Sequence, residues 1–233
     1  MNQNRFIEEL KLINISLTQN QLDQLNEYYN LLIEYNKVMN LTGITDYEEV
    51  YLKHFYDSLT LAKVIDLNSI NSLCDIGTGA GFPGLVLKIV FPNLKITLLD
   101  SLNKRVEFLK VVIDKLNLKN IEVIHSRAED YALKNRNKFD VTTARAVAHT
   151  SILLEYAIPL TKINGYFIPL KANMTDELKE INNAINELNV RLIKKAEFKL
   201  PIEGSTRTIL LFEKLKDNKK YPRKYSEIKK KKL

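Results

Sequence analysis

Residues 73–84 read Leu-Cys-Asp-Ile-Gly-Thr-Gly-Ala-Gly-Phe-Pro-Gly. A short apolar strand runs into Gly77, Gly79 and Gly81 at alternate positions, with an acid, Asp75, two residues before the first. Glycine reaches φ > 0 cheaply and has no Cβ. The backbone therefore turns sharply here, and a ligand approaches the main chain itself. Leu85 to Phe91 reads as a helix, so its free N–H groups point at that ligand. The stretch demands a strand–loop–helix unit and marks a nucleotide-type cofactor loop.

The rest of the chain agrees with such a unit. From Ser72 onward, strand and helix patterns alternate. Strands are expected at 72–76, 95–99, 121–124, 139–143, 166–170, about 190–199 and 206–213. Helices are expected at 102–116, about 150–161 and about 175–188, while His125-Ser-Arg-Ala-Glu-Asp130 reads as a polar turn. The short Pro201–Ser205 link makes the last two strands an antiparallel hairpin. The expected fold is an α/β Rossmann-like sheet, seven-stranded and mostly parallel with the last strand antiparallel, plus an N-terminal helical cap. The cap spans 1–70. Thr18 with Gln21 forms a capping box before an apolar stripe at helical spacing, Asn40-Leu-Thr-Gly43 stops that helix, and Thr45 with Glu48 opens another. The sheet domain spans 71–214 and a basic tail 215–233.

Composition removes several classes. No apolar run approaches the ~18 residues of a membrane span, and Met1-Asn-Gln-Asn-Arg-Phe-Ile-Glu-Glu9 lacks signal-peptide order. One cysteine, Cys74, excludes an internal disulfide or a Cys-cluster metal site. The three histidines, His54, His125 and His149, lack metal-ligand spacing. A cytoplasmic protein without metal or membrane partner is expected. Net charge is +7, yet residues 214–233 hold ten basic and two acidic residues and carry +8. The body is neutral, and the tail suits either a polyanion or plain solvent.

Asp100 ends the second strand, where a carboxylate accepts from both ribose hydroxyls. That serves NAD and S-adenosylmethionine alike, and Gly79-Ala-Gly-Phe-Pro-Gly84 also satisfies the dinucleotide pattern G-x-G-x-x-G. Three features favour S-adenosylmethionine. Asp75 is expected to face the cofactor's ammonium, and a negative group is unwelcome beside a pyrophosphate. Ala128 and Glu129 are placed to hold adenine. The terminal hairpin gives seven strands with the last reversed, so the expected α/β sheet is that of a Rossmann-like class I methyltransferase.

The acceptor is read beyond the fourth strand, at Thr142-Thr-Ala-Arg-Ala-Val-Ala148. The Asn/Asp-Pro-Pro-aromatic tetrad of amino-adenine methylation is missing, and Cys74 lies inside a strand where it cannot serve as a cytosine nucleophile. Guanine N7 has an in-plane lone pair and no proton to lose, so catalysis by in-line positioning without a general base suffices. Arg145 sits where the acceptor lies, to stack on the base, bond O6 or grip phosphate. The bland alternative is a salt bridge from Arg145 to Asp140 or Glu129. His54 with Asp57 reads as a buried polar contact locking the cap to the sheet, or else as an acid–base pair or a metal pair. Phe82 covers the cofactor or is plain core. Lys104 and Arg105 sit at a helix N-terminus, unfavourable for its dipole, which suggests RNA phosphate contact or else a plain solvated face. Lys171 reaches RNA or simply ends a strand.

Gly77–Gly84, Leu-Leu-Asp-Ser-Leu-x-Lys-Arg (98–105), Ser-Arg-Ala-Glu (126–129), Ala-Arg-Ala (144–146), Asn40-Leu-Thr42, His54-Phe-x-Asp-Ser58 and Tyr221-Pro-Arg-Lys224 together resemble the bacterial small-subunit rRNA guanine-N7 methyltransferases, the glucose-inhibited division protein B family. The resemblance runs from about residue 36 onward. It implies S-adenosylmethionine as methyl donor and N7 of the guanine at position 527 of 16S rRNA as acceptor. Carried over by motif, Gly77 and Phe82 contact the cofactor, Asp100, Ser101 and Leu102 flank its ribose, Ala128 and Glu129 its adenine, and Arg145 lies by cofactor and acceptor. Gly79 and Gly81 complete the cofactor loop. Lys104, Arg105, Lys171, Arg223 and Lys224 are the expected RNA-binding set. The expected partner is 16S rRNA or a small-subunit assembly intermediate, met by a monomer. Two departures stand out: Leu170-Lys-Ala172 replaces the family's Leu-Lys-Gly, and Tyr225-Ser-Glu-Ile with four lysines replaces its usual ending. A methyltransferase of another substrate and a non-catalytic RNA-binding protein remain as alternatives.

Overall fold

The computed structural model describes residues 1–145, 148–172 and 177–233. Ala146 and Val147, and the start of the helix expected from residue 175, lie outside them. Six strands that run the same way and one reversed strand, β7, form one sheet in the order β3-β2-β1-β4-β5-β7-β6. Its strands are β1 (Ser72–Ile76), β2 (Lys95–Asp100), β3 (Ile121–His125), β4 (Phe139–Arg145), β5 (Thr161–Lys171), β6 (Val190–Lys199) and β7 (Thr206–Lys214). β7 runs antiparallel to both β5 and β6. Chain order reverses direction between β1 and β4, and ligands of such sheets sit at the carboxyl ends of the strands there.

The central strands are apolar on both faces because both are covered. Leu73, Leu98, Val141 and Ile168 face one way into a core shared with the cap. Their neighbours Cys74, Leu99, Phe167 and Leu210 face the other way. That alternation is the two-residue period of a strand. The cap comprises α1 (Gln3–Lys11), α2 (Gln19–Met39), α3 (Tyr47–Val50), a π-helical turn at Tyr51–Tyr56, α4 (Asp57–Leu59) and a 3₁₀ turn at Thr60–Lys63. The Thr18–Gln21 capping box forms as expected. Helix α3, however, is capped by Asp46, whose carboxylate accepts from the Glu49 N–H at 3.0 Å, and not by Thr45. Asn40 ends α2 in the left-handed conformation, φ 51°, which Asn tolerates better than most residues.

Around the sheet lie α5 (Gly84–Val90), α6 (Asn103–Lys115), α7 (Ala128–Lys134), α8 (Thr150–Leu160), α9 (Glu177–Glu180) and α10 (Asn182–Glu187). The expected turn at 125–130 is thus partly wrong: only its first residues turn, and Ala128 begins α7. A last helix, α11 (Tyr225–Lys230), arises inside the basic tail. Among the described residues no helix is long and apolar enough to cross a membrane.

Candidate functional site

The glycine loop hangs from β2. The Gly77 and Thr78 N–H groups donate to the Leu99 carbonyl at 2.8 and 3.1 Å. Gly77, Gly79 and Gly81 all take positive φ (67°, 62°, 104°), the conformation that excludes most side chains. Gly81 is needed for a second reason: a Cβ there would lie 2.5 Å from Leu85 Cδ1 and 2.7 Å from Tyr28 Oη. Gly81 therefore packs the loop against the cap and lines neither cavity at the site.

Two cavities open at the carboxyl ends of β1 to β4, of about 350 and 420 Å³. Gly77, Asp100 and Ser101 line both and so form the wall between them. The Asp100 carboxylate accepts from the Gly79 N–H and the Leu102 N–H, both at 2.9 Å. Leu102 itself is half-exposed and lines neither cavity.

The first cavity is a slot with apolar walls, among them Ile76, Leu99, Ala128 and Ile152. Glu129 reaches it from the first turn of α7. Its side chain is buried, and Oε1 has no hydrogen-bond partner; the nearest cation, Arg127, stands off at 3.7 Å. An unpartnered buried oxygen is costly, and a ligand N–H in this slot would satisfy it. Flat apolar walls, an acceptor at the edge and a carboxylate at the mouth fit the adenosine part of S-adenosylmethionine.

The second cavity lies between loop and cap. Asn36 Oδ1 accepts from the Leu41 and Thr42 N–H groups at 2.6 and 2.9 Å and folds that segment onto the cavity wall. Thr42 Oγ1 is 2.8 Å from His54 Nε2, and Arg145 Nη2 is 3.2 Å from His54 Nδ1. His54 Nδ1 lies 3.2 Å from the Lys53 carbonyl as well, so it stands between a donor, the guanidinium, and an acceptor. Burial, with Arg145 beside it, pushes His54 down to about 3, so the ring is neutral. Arg145 also donates to the Lys53 carbonyl at 3.1 Å, pairs with Asp57 at 3.5 Å and lies 4.9 Å above the Phe82 ring. Asp57 holds Arg207 of β7 at 3.0 Å as well. The bridge from Arg145 thus goes to Asp57, and neither to Asp140, which binds Lys162 and Ser72, nor to Glu129. His54 and Asp57 do lock cap to sheet, through Arg145 and Arg207. Two guanidiniums share one carboxylate, which leaves one positive charge beside the cavity. Phe82 is both core and wall: it stacks on His54 at 4.4 Å and packs on Tyr28 at 5.5 Å, while lining the cavity.

Several sequence expectations need correction. Asp75 is fully buried and lines neither cavity: its Oδ2 accepts from the Thr78 hydroxyl at 2.6 Å and the Gly84 N–H at 2.8 Å, holding the loop from behind, while its Oδ1 has no hydrogen-bond partner. Burial pushes its carboxyl up to about 6. Arg105 turns inward to the second cavity, 3.4 Å from Asp100. Lys104 is exposed and donates to the Met39 carbonyl. Lys171 is no free cation, since Glu177 binds it at 2.6 and 2.7 Å. Arg223 is likewise spent on Glu155, in a fork at 2.8 and 2.7 Å. Lys224 stays exposed, at the N-cap of α11. Sequence reasoning missed Thr42, Ile152, Tyr156, Tyr225 and Ile228 as wall residues.

The family described as rRNA small subunit methyltransferase G (GidB) matches residues 21–206. The chain is 47% identical to "Ribosomal RNA small subunit methyltransferase G" of Lysinibacillus sphaericus, over 96% of each chain. It is 47% identical to the protein of that name in Bacillus subtilis, over 96% of this chain and 95% of the other. Among solved structures it is similar to an Aquifex aeolicus SAM-dependent methyltransferase, with a TM-score of 0.56 at 22% identity, over 73% of this chain and 94% of that one. It is also similar in fold to M. jannaschii TYW2 in complex with AdoMet, with a TM-score of 0.52 at 15% identity, over 63% of this chain and 70% of that one.

Proposed function

The chain belongs to the rRNA small subunit methyltransferase G family, and on that premise we propose that it methylates N7 of one guanine of 16S rRNA, the one at position 527, from S-adenosylmethionine. When bound, that cofactor supplies an electrophilic methyl on a sulfonium. The apolar slot with Ala128 and Glu129 holds its adenosine part, and Asp100, on the wall shared by both cavities, accepts from the ribose hydroxyls. The second cavity receives the base. Arg145 is the observation that carries this reading. Its guanidinium is fixed by Asp57, His54 and the Lys53 carbonyl, so it meets a planar base or a phosphate without reorganising.

The protonation states support N7. His54 lines the acceptor cavity, but its Nδ1 is engaged by Arg145 and its basicity is suppressed. It is no free base, and N7 has no proton to remove. Positioning then supplies the rate, and a shift of about 1 Å costs on the order of 10²-fold.

Mapping N7-methylguanosine by borohydride–aniline cleavage in a deletion strain tests the acceptor. Loss of cleavage at the expected guanine supports it, and an unchanged signal rejects it. Arg145→Ala should lower turnover about 10²-fold with melting largely retained, because Asp57 keeps Arg207. Near-normal turnover rejects the role given to Arg145.

A further inference from the structure

We infer that the lysine-rich C-terminus forms the outer wall of the adenine slot, so that α11 sets how tightly, and how long, the cofactor's adenosine half is held. This rests on the cofactor assignment just made. After β7 the chain is tied down step by step. Arg136 grips Asp217 at 2.8 Å, the Asn218 side chain donates to the Glu187 carbonyl at 2.7 Å, and Arg223 forks onto the buried Glu155. Those anchors deliver the chain to the slot. There Tyr225, Ile228 and Lys229 become part of its lining.

Ile228 identifies what the helix is for. It is only 1% exposed, yet it belongs to neither of the two hydrophobic cores. It lines the slot instead. Tyr225 stands beside it with the Arg127 guanidinium 4.5 Å from its ring, and Arg127 lines the same slot from the start of α7. The cavity persists with α11 in place, so the helix walls the slot and does not plug it. An apolar wall over a purine removes that face of the base from water. Opening that wall exposes one face of the base.

The test compares the intact chain with a chain ending at Lys224, which keeps every anchor and removes residues 225–233. The probe is S-adenosylhomocysteine, measured by calorimetry, with dissociation followed by ligand displacement. Truncation should weaken affinity at least 10-fold, chiefly through faster dissociation. 5′-Methylthioadenosine, which lacks the amino-acid half, should lose affinity by the same factor. Full-length Ile228→Ser should reproduce the direction of the change, which keeps the test decisive if the shorter chain folds poorly. Affinities within twofold for both variants overturn the inference, as does a loss seen with S-adenosylhomocysteine but not with methylthioadenosine. An intact chain that takes up neither probe overturns the cofactor assignment itself, and this inference with it.

Discussion

Asp57→Asn should unfold the protein at a markedly lower temperature. Asp57 is 6% exposed and holds two guanidiniums that are themselves largely buried, Arg207 at 3.0 Å and Arg145 at 3.5 Å. At an effective dielectric near 20, each contact is worth about 5 kcal/mol before desolvation. Desolvation of the three ions offsets most of that, so the intact cluster adds little net stability. Removing the carboxylate is different. The amide keeps the shape but leaves two cations near each other without a counter-charge, at a cost of about 3–5 kcal/mol. A chain of this length loses about 2 °C per kcal/mol, so the midpoint should fall about 6–10 °C by circular dichroism. Arg207→Gln in the Asp57→Asn background removes one of the orphaned charges and should recover 1 kcal/mol or more relative to additivity. A midpoint within 2 °C of the parent, or a strictly additive double variant, refutes the shared-carboxylate account.

Two further outcomes follow from the glycine loop. Gly81→Ala forces a Cβ into Leu85 and Tyr28 at φ 104° and should cost about 2–4 kcal/mol in urea denaturation. Gly79→Ala, where a Cβ meets nothing closer than 4.0 Å, should cost only about 1 kcal/mol; equal losses would show that packing on the cap is irrelevant. Asp75 should titrate near pH 6 in the folded protein, against about 3.9 unfolded. Its folded pKa is raised, so the folded state binds the proton more tightly. About 3 kcal/mol of stability is therefore present at low pH and lost as pH rises through 6. A carboxyl resonance with a midpoint below 4.5 would refute this.

The central strands were legible because they are buried on both faces and so are largely apolar, as at Ser72–Ile76; the edge strand Val190–Lys199 is mostly exposed yet also falls where the sequence puts it. Helix α7 was not legible, because Ser-Arg-Ala-Glu-Asp is polar and the helix is short. The loop, Asp100, Ala128 and Glu129 could be read as a site because neighbouring strand ends supply them. Charge partnership could not be read. Lys171 and Arg223 look free in sequence, and their partners Glu177 and Glu155 stand at no helical spacing from them. One signal was available: Glu155 is a lone acid inside the apolar run Ile152-Leu-Leu-Glu-Tyr-Ala-Ile158, and a buried acid requires a partner.

The same limit explains why the two sides of the site differ in how they were read. The sheet supplies the dividing wall, Gly77, Asp100 and Ser101, with Ile76 and Leu99 on the adenine side and Arg145 on the acceptor side. The acceptor side is closed by the cap, through the stack His54–Phe82, the Tyr28 hydroxyl on the Ala80 carbonyl and the Asp57 cluster. The adenine side is closed by the tail. Each closing segment is remote in sequence from the loop it covers, and each is positioned by a buried carboxylate shared with arginine: Asp57 for the cap, Glu155 for the tail. Those two ion pairs fix which cap and tail side chains stand beside the strand ends.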